Sequence, residues 1–231
     1  MSARLDDSAT FLEAGGKPAW VHPTALVEEG VVLGGGTKIW DNVHVRRGAR
    51  IGHSTIVGEK TYVAYDVSIG NFVKINASVY ICAAVTVDDF CMISAHTVFT
   101  NDRFPRAGNR ELTGLETSDP TGETLFCHVK RGATIGANAT IGPGVVLGEF
   151  SMIGMGAVVT RSVAAHALAI GNPARQVGWV CSCGLPLALV HAGDPARTGG
   201  AAAGAADGKI ACRECHRRYL LEGGVLRRLD A

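Results

Sequence analysis

The sequence predicts an all-β solenoid, a stack of short turns around one apolar axis, followed by a small appended module. Three observations carry this. First, every sixth residue is aliphatic or Phe: Val21, Val27, Leu33, Ile39, Val45, Ile51, Val57, Val63, Ile69, Ile75, Ile81, Val87, Ile93 and Phe99, then in the same phase Val129, Ile135, Ile141, Leu147, Ile153 and Val159. With 47% of the chain hydrophobic, chance gives such a run in about one register in a million or fewer. A period of six fits neither an amphipathic helix nor an alternating strand, so it describes near-identical turns that each place one side chain on a shared axis. Second, the residue four places after each aliphatic one is small or β-branched, as in Ala25, Thr37, Ala49, Thr55, Val67, Val79, Cys91 and Thr97. Such residues turn a corner without crowding the axis. Third, four of the seven cysteines fall outside this register, in two close pairs near the C-terminal end.

Taken in order, residues 1–20 read as a lead-in, with a short helix expected over Ala9 to Ala14. The repeat unit spans 21–179, and residues 21–102 carry its first fourteen hexads. Gly34, Gly52, Gly58, Gly70, Gly136, Gly142, Gly148 and Gly154 follow the aliphatic position. They are expected there for backbone angles that other residues resist. The register breaks over 101–128, a polar, charged segment rich in turn residues. Interior loops of this length usually carry function. Six more hexads follow, and Asn172-Pro173 reads as the turn that ends the repeat. Residues 180–231 form the appended module, with 191–209 as a linker or hairpin tip.

Composition excludes several function classes. The net charge of +1 gives no bulk attraction for nucleic acid. No apolar stretch reaches 18 residues, so no membrane span is expected. The opening residues MSARLDDSAT lack the basic start and apolar run of a signal peptide. A cytoplasmic location follows as the expectation, and with it reduced thiols. Cys82, Cys91 and Cys127 fall in the repeat register and read as packing residues. Cys181-Ser182-Cys183 and Cys212-Arg213-Glu214-Cys215 instead resemble a zinc ribbon. Four thiolates are a usual structural zinc set, and a module this small has little core of its own.

The hexads, the interrupting loop and the ending Ile170-Gly171-Asn172-Pro173-Ala174-Arg175 resemble the hexapeptide-repeat acyltransferases. That resemblance implies a left-handed parallel β-helix, three hexads to each coil of eighteen residues, and about seven coils in all. Val98-Phe99-Thr100-Asn101-Asp102-Arg103-Phe104-Pro105-Arg106-Ala107, with Val129 to Asn138, is similar to nucleotide-sugar 3-amino N-acetyltransferases. The chain departs from that group at Cys82-Ala83, where more polar residues are expected.

The narrower resemblance implies transfer of an acetyl group from acetyl-CoA to the amine of a UDP- or dTDP-linked 3-amino sugar. It also implies a homotrimer with each active site between two neighbouring subunits. Asn101 would hold the acceptor amine through its amide oxygen. His96, five residues earlier, is the local candidate for general base. Arg103 and Arg106 would bind the substrate's pyrophosphate or a sugar carboxylate. Ala139, Gly156 and Ala157 would let the pantetheine arm approach the main chain, and Arg161 and Arg175 would meet the CoA phosphates. His44, His53 and His128 read as coil-surface residues. Two other readings compete. The segment Ile39 to Gly48 superficially resembles the γ-type carbonic anhydrases, which need three converging histidines. The chain also fits a non-catalytic scaffold with a zinc-binding interaction module.

Overall fold

The computed structural model describes residues 10–12, 17–117, 120–189 and 208–229. Strands of two or three residues alternate with tight turns, and each strand pairs in parallel with those one coil away. The pairing step is eighteen residues: Ile39 lies beside Val57, Val45 beside Val63, and Ile51 beside Ile69. Three flat faces result. The first carries Trp20–Val21 through Met152–Ile153, the second Leu26–Val27 through Val158–Val159, and the third Val32–Gly34 through Val146–Leu147. Six coils are complete, and a seventh has strands on two of its three faces. An added strand at each end of the stack, Thr10–Leu12 and Ala167–Ile170, makes it slightly longer than the expected seven.

The six-residue series is the axial core. Nineteen of its twenty members are buried, and Val21, in the outermost coil, is half-buried. Leu33, Ile51, Ile69, Val87, Val129 and Leu147 stack directly above one another. The small corner positions are buried as well, and where they are threonine they bridge coils. Thr37 Oγ1 donates to the Gly52 carbonyl at 2.6 Å and accepts from the Thr55 amide at 3.1 Å. Thr55 repeats the pattern one coil on, to Gly70 O and from Val73 N. A buried hydroxyl is thereby satisfied in both roles. Cys82, Cys91 and Cys127 are buried in this core, as expected. Burial pushes the thiols up, Cys82 and Cys91 to about 12, so they stay neutral and inert.

Two local expectations are corrected. Thr10–Leu12 is a strand rather than part of a helix, pairing in parallel with Val32–Gly34. The first coil otherwise presents an open row of backbone donors and acceptors, which this strand occupies. The glycines after the aliphatic position are needed for close approach rather than for unusual backbone angles. A Cβ on Gly34 would lie 2.4 Å from the His53 amide nitrogen, and one on Gly136 would lie 2.5 Å from that of Met155. Left-handed backbone angles occur at the corner residues instead, and many of these are not glycine, including Phe72, Phe90, His96 and Phe150.

The end of the solenoid is not a clean break. Arg175–Val180 turns back antiparallel on Ala167–Ile170, and Pro186–Leu189 pairs with it in turn, so both extend the first face. The first cysteine pair lies on the turn of this hairpin. Gly208–Ala211, Arg218–Glu222 and Val225–Arg228 form a separate antiparallel sheet. Trp179, Leu187, Tyr219, Leu221 and Leu226 make a second small core with Cys181 and Cys212. Of the expected linker, residues 191–207 lie outside the described residues, and Gly208 and Lys209 open a strand.

Candidate active site

The coil has three corners, and the candidate residues sort onto two of them. Across the loop the pairing step becomes 42 residues, since Val87 pairs with Val129 and Ile93 with Ile135. The inserted segment therefore leaves between the second and third faces, directly after Val98–Phe99. Leu125 N donates to Asn101 O at 3.0 Å and closes the base of the loop. Asn101 is half-buried at this mouth, where its Nδ2 donates to the Ala83 carbonyl at 3.2 Å. That bond anchors the amide and leaves Oδ1 to receive a donor. Arg103 and Arg106 follow on the exposed loop. Asp102, which the sequence reading passed over, accepts from Phe104 N at 2.8 Å and shapes the first turn. Arg161 is exposed on the same corner, directly after Val158–Val159.

His96 occupies the corner between the first and second faces. It is exposed, with a left-handed φ of 59°. Asn138 and Gly156 stand above it on successive coils, as Asn138 N donates to Ala95 O and Gly156 N to Ala137 O. Gly156 has a φ of 68° and open space where a Cβ would be. Ala139 and Ala157 are buried in the axial core; their amides donate to Gly136 O and Gly154 O within the coil, and their carbonyls accept from Val98 N and Thr140 N of the coil before. They make the corner narrow, but their side chains face inward. Arg175 reaches this corner from the returning strand. Val158 N donates to Gly171 O and Ala174 N to Val158 O, and Arg175 itself is exposed.

The fold thus groups His96, Ala139, Gly156, Ala157 and Arg175 on one corner and Asn101, Arg103, Arg106 and Arg161 on the next. His96 and Asn101 are not brought together within the chain. The extended run through Val98–Phe99 lies between them, and at about 3.3 Å per residue five steps span about 16 Å.

The four outlying cysteines do converge. All four sulfurs lie within 4.8 Å of one another, with Cys181 Sγ to Cys215 Sγ at 3.4 Å and Cys183 Sγ to Cys212 Sγ at 3.6 Å. A tetrahedron of thiolates around zinc has edges of about 3.8 Å. The buried Tyr219 hydroxyl lies 3.1 Å from Cys181 Sγ and accepts from Ser182 N at 3.0 Å. A hydrogen bond from the Arg217 backbone N–H draws the Cys215 thiol down to about 6, while desolvation raises Cys183. Several thiolates packed this closely repel one another, and a bound divalent cation relieves that repulsion.

Two further clusters were missed. Glu28, in coil one, accepts from Arg47 N at 2.9 Å and from His44 Nε2 at 2.8 Å, and is ion-paired with Arg46, whose Nε lies 2.7 Å away. Arg46 NH1 donates to the Tyr62 hydroxyl at 3.1 Å, and Tyr62 stacks on Tyr80 at 5.3 Å. The signal was present, since 44, 62 and 80 are spaced by one coil. His44 is therefore a hydrogen-bond partner of Glu28. Similarly, His128 Nε2 pairs with Asp88 at 2.7 Å. Among the described residues of the single chain no group of three histidines converges as a metal site. The other cluster lies at the third corner, described below.

Residues 126–161 match the family model described as bacterial transferase hexapeptide (six repeats). Over 101 residues the chain is 39% identical to the dTDP-3-amino-3,6-dideoxy-alpha-D-galactopyranose 3-N-acetyltransferase of Aneurinibacillus thermoaerophilus, covering 44% of each chain. The chain thus spans less than half the length of that relative. Among solved structures it is similar to AntD, an N-acyltransferase from Bacillus cereus in complex with dTDP and 3-hydroxybutyryl-CoA. That match has 21% identity and a TM-score of 0.48 over 73% of this chain and 83% of AntD. The acetyltransferase domain of PglB from Neisseria gonorrhoeae, in complex with acetyl coenzyme A, gives 20% identity and a TM-score of 0.44 over 70% and 59%. The period of six and the stacked coils make the chain a β-solenoid; residues 126–161 of it match the hexapeptide-repeat model, and over 101 residues it is similar to a nucleotide-sugar 3-amino N-acetyltransferase.

Proposed function

We propose that the protein is an acyl-CoA-dependent N-acetyltransferase. It moves the acetyl group of acetyl-CoA to the amine of a UDP- or dTDP-linked 3-amino sugar. The observation that carries this reading is Asn101 at the loop mouth, its Nδ2 tied to Ala83 and its Oδ1 left for the acceptor amine. The relative with 39% identity acts, by its name, on a dTDP-3-amino sugar. In the reaction the amine nitrogen attacks the thioester carbonyl, the C–S bond breaks, and amide and CoA thiol leave. The amine's proton passes to His96 or to the departing sulfur.

The separation of the two corners supports a site shared between subunits. One copy contributes His96, Gly156 and Arg175 beside the CoA, and its neighbour contributes Asn101, Arg103 and Arg106 around the sugar nucleotide. A homotrimer closes such head-to-tail contacts. It also covers Phe104, Leu112, Leu115 and Phe126 on the loop and Met155 beside Gly156, all strongly exposed in the single chain. The module of residues 180–231 is read as a zinc ribbon held by Cys181, Cys183, Cys212 and Cys215, with the metal in a structural role. No helix among the described residues is long and apolar enough to cross a membrane. We read its location as cytoplasmic.

Thiol release from acetyl-CoA, measured against a panel of UDP- and dTDP-3-amino sugars, tests the reading. Release with one of them, and an acetylated sugar of the matching mass, is the expected result. No release with any amino sugar favours the scaffold.

A further inference from the structure

The third corner, between the third and first faces, has neither of the two candidate residue groups. It carries Phe72, Phe90, Gly132, Phe150 and His166 on successive coils, with Phe72 and Phe90 stacked at 5.0 Å and Phe150 and His166 at 5.4 Å. Gly132 interrupts this ladder. Its φ is 69°, and a Cβ there would lie 2.4 Å from the Phe150 ring, which leans into the gap. The cysteine module closes over the same corner. His166 is buried, lies 3.0 Å through Nδ1 from the Val180 carbonyl, and meets the Tyr219 ring edge-on at 5.3 Å.

Between corner and module lies a cavity of about 440 Å³. Arg131, Arg217 and Arg228 line it together with Cys181 and Cys183 of the sulfur cluster, Ser182 adds a hydroxyl, and no Asp or Glu is among the lining residues. The Arg131 guanidinium sits 5.1 Å over the Phe90 ring, which orients it. Arg217 is bonded to the Cys215 sulfur and serves the metal cluster. Arg131 and Arg228 approach from opposite walls, one from the coil and one from the last strand. Two guanidinium groups, Arg131 and Arg228, beside the Phe150 ring and with no carboxylate among the lining residues, suit an anion that carries a flat apolar body.

We propose that this cavity is a binding site for an organic phosphate with a planar ring, its phosphate between Arg131 and Arg228 and its ring against Phe150. The site is distinct from the proposed acetyl-transfer site and does not depend on that activity.

Calorimetric titration of the metal-loaded protein with phenyl phosphate at low salt tests it. Saturable binding is expected, with none for phenol. Arg131→Ala and Arg228→Ala are each expected to weaken binding about tenfold or more, with metal content unchanged. Both residues are exposed on their elements, so folding is preserved. Phe150→Leu weakens phenyl phosphate more than inorganic phosphate, which reads the ring contact separately. Arg103→Ala and Arg175→Ala, at the other corners, leave binding intact. Absence of binding to protein that retains its metal overturns the proposal and leaves the arginines as counter-charges to the thiolates. Binding that Arg131→Ala and Arg228→Ala together leave unchanged also overturns it.

Discussion

Glu28 shows how one side chain can tie two coils together. Burial alone raises its pKa, but hydrogen bonds from the Arg47 backbone and from His44 and Arg46, with the charge of Arg46, outweigh that and hold it below its ordinary 4.5. A carboxylate depressed in the folded state contributes stability that is present above the unfolded pKa. That stability is lost as pH falls through the folded value. Glu28→Gln is therefore expected to lower the melting temperature near neutral pH, with the gap to the parent closing below about pH 4.5. Melting curves from pH 3 to 7 check this, and a gap independent of pH contradicts the ion-pair account. The apolar series alone does not show this network; its signal lies in the outward residues that meet across the eighteen-residue step, such as 44, 62 and 80.

At the scale of the element, the coil is a repeated unit whose neighbours supply its core. Ile135 packs between Ile93 and Ile153, fully buried. Ile135→Ala removes packing against both neighbouring coils and is expected to cost about 2–5 kcal/mol in urea denaturation. The same change at Val21, half-buried in the outermost coil, is expected to cost less than half of that. The cysteine module follows different rules. Its small core surrounds four sulfurs, so one zinc per chain is expected by elemental analysis. Chelation should lower the melting temperature of the module more than that of the coil. Cys212→Ser reproduces that loss, while Cys91→Ser, in the coil core, leaves the zinc content unchanged. The two pairs were legible as metal ligands because four thiols outside the repeat register needed a common explanation. The link between the first pair's hairpin and the first face was not, because strand pairing beyond the last hexad has no period to read.

For the whole molecule, the sharpest expectation concerns assembly. If each site draws His96 from one copy and Asn101 from the next, His96→Ala and Asn101→Ala homotrimers are each impaired. Mixed trimers from equal amounts then regain intact pairs at about a quarter of their sites. Co-refolding the two variants and assaying acetyl transfer measures this. No recovery places both residues on one subunit's site or removes one from the reaction. Size-exclusion chromatography with light scattering gives the accompanying mass, expected at three chains.

The sequence by itself determined the solenoid, its axial core, the position of its interruption and the convergence of four cysteines. A period repeated twenty times leaves one way to bury every sixth residue. Only the tertiary structure decided which candidates share a corner. The spacing between His96 and Asn101 is five residues, yet a straight strand holds them on different corners. Residues 156 and 96, sixty positions apart, share the first–second corner because 24 of the residues between them leave the coil as part of the loop. Distance along a coiled chain measures rotation around the axis, and rotation, rather than proximity in sequence, assigns a side chain to a site.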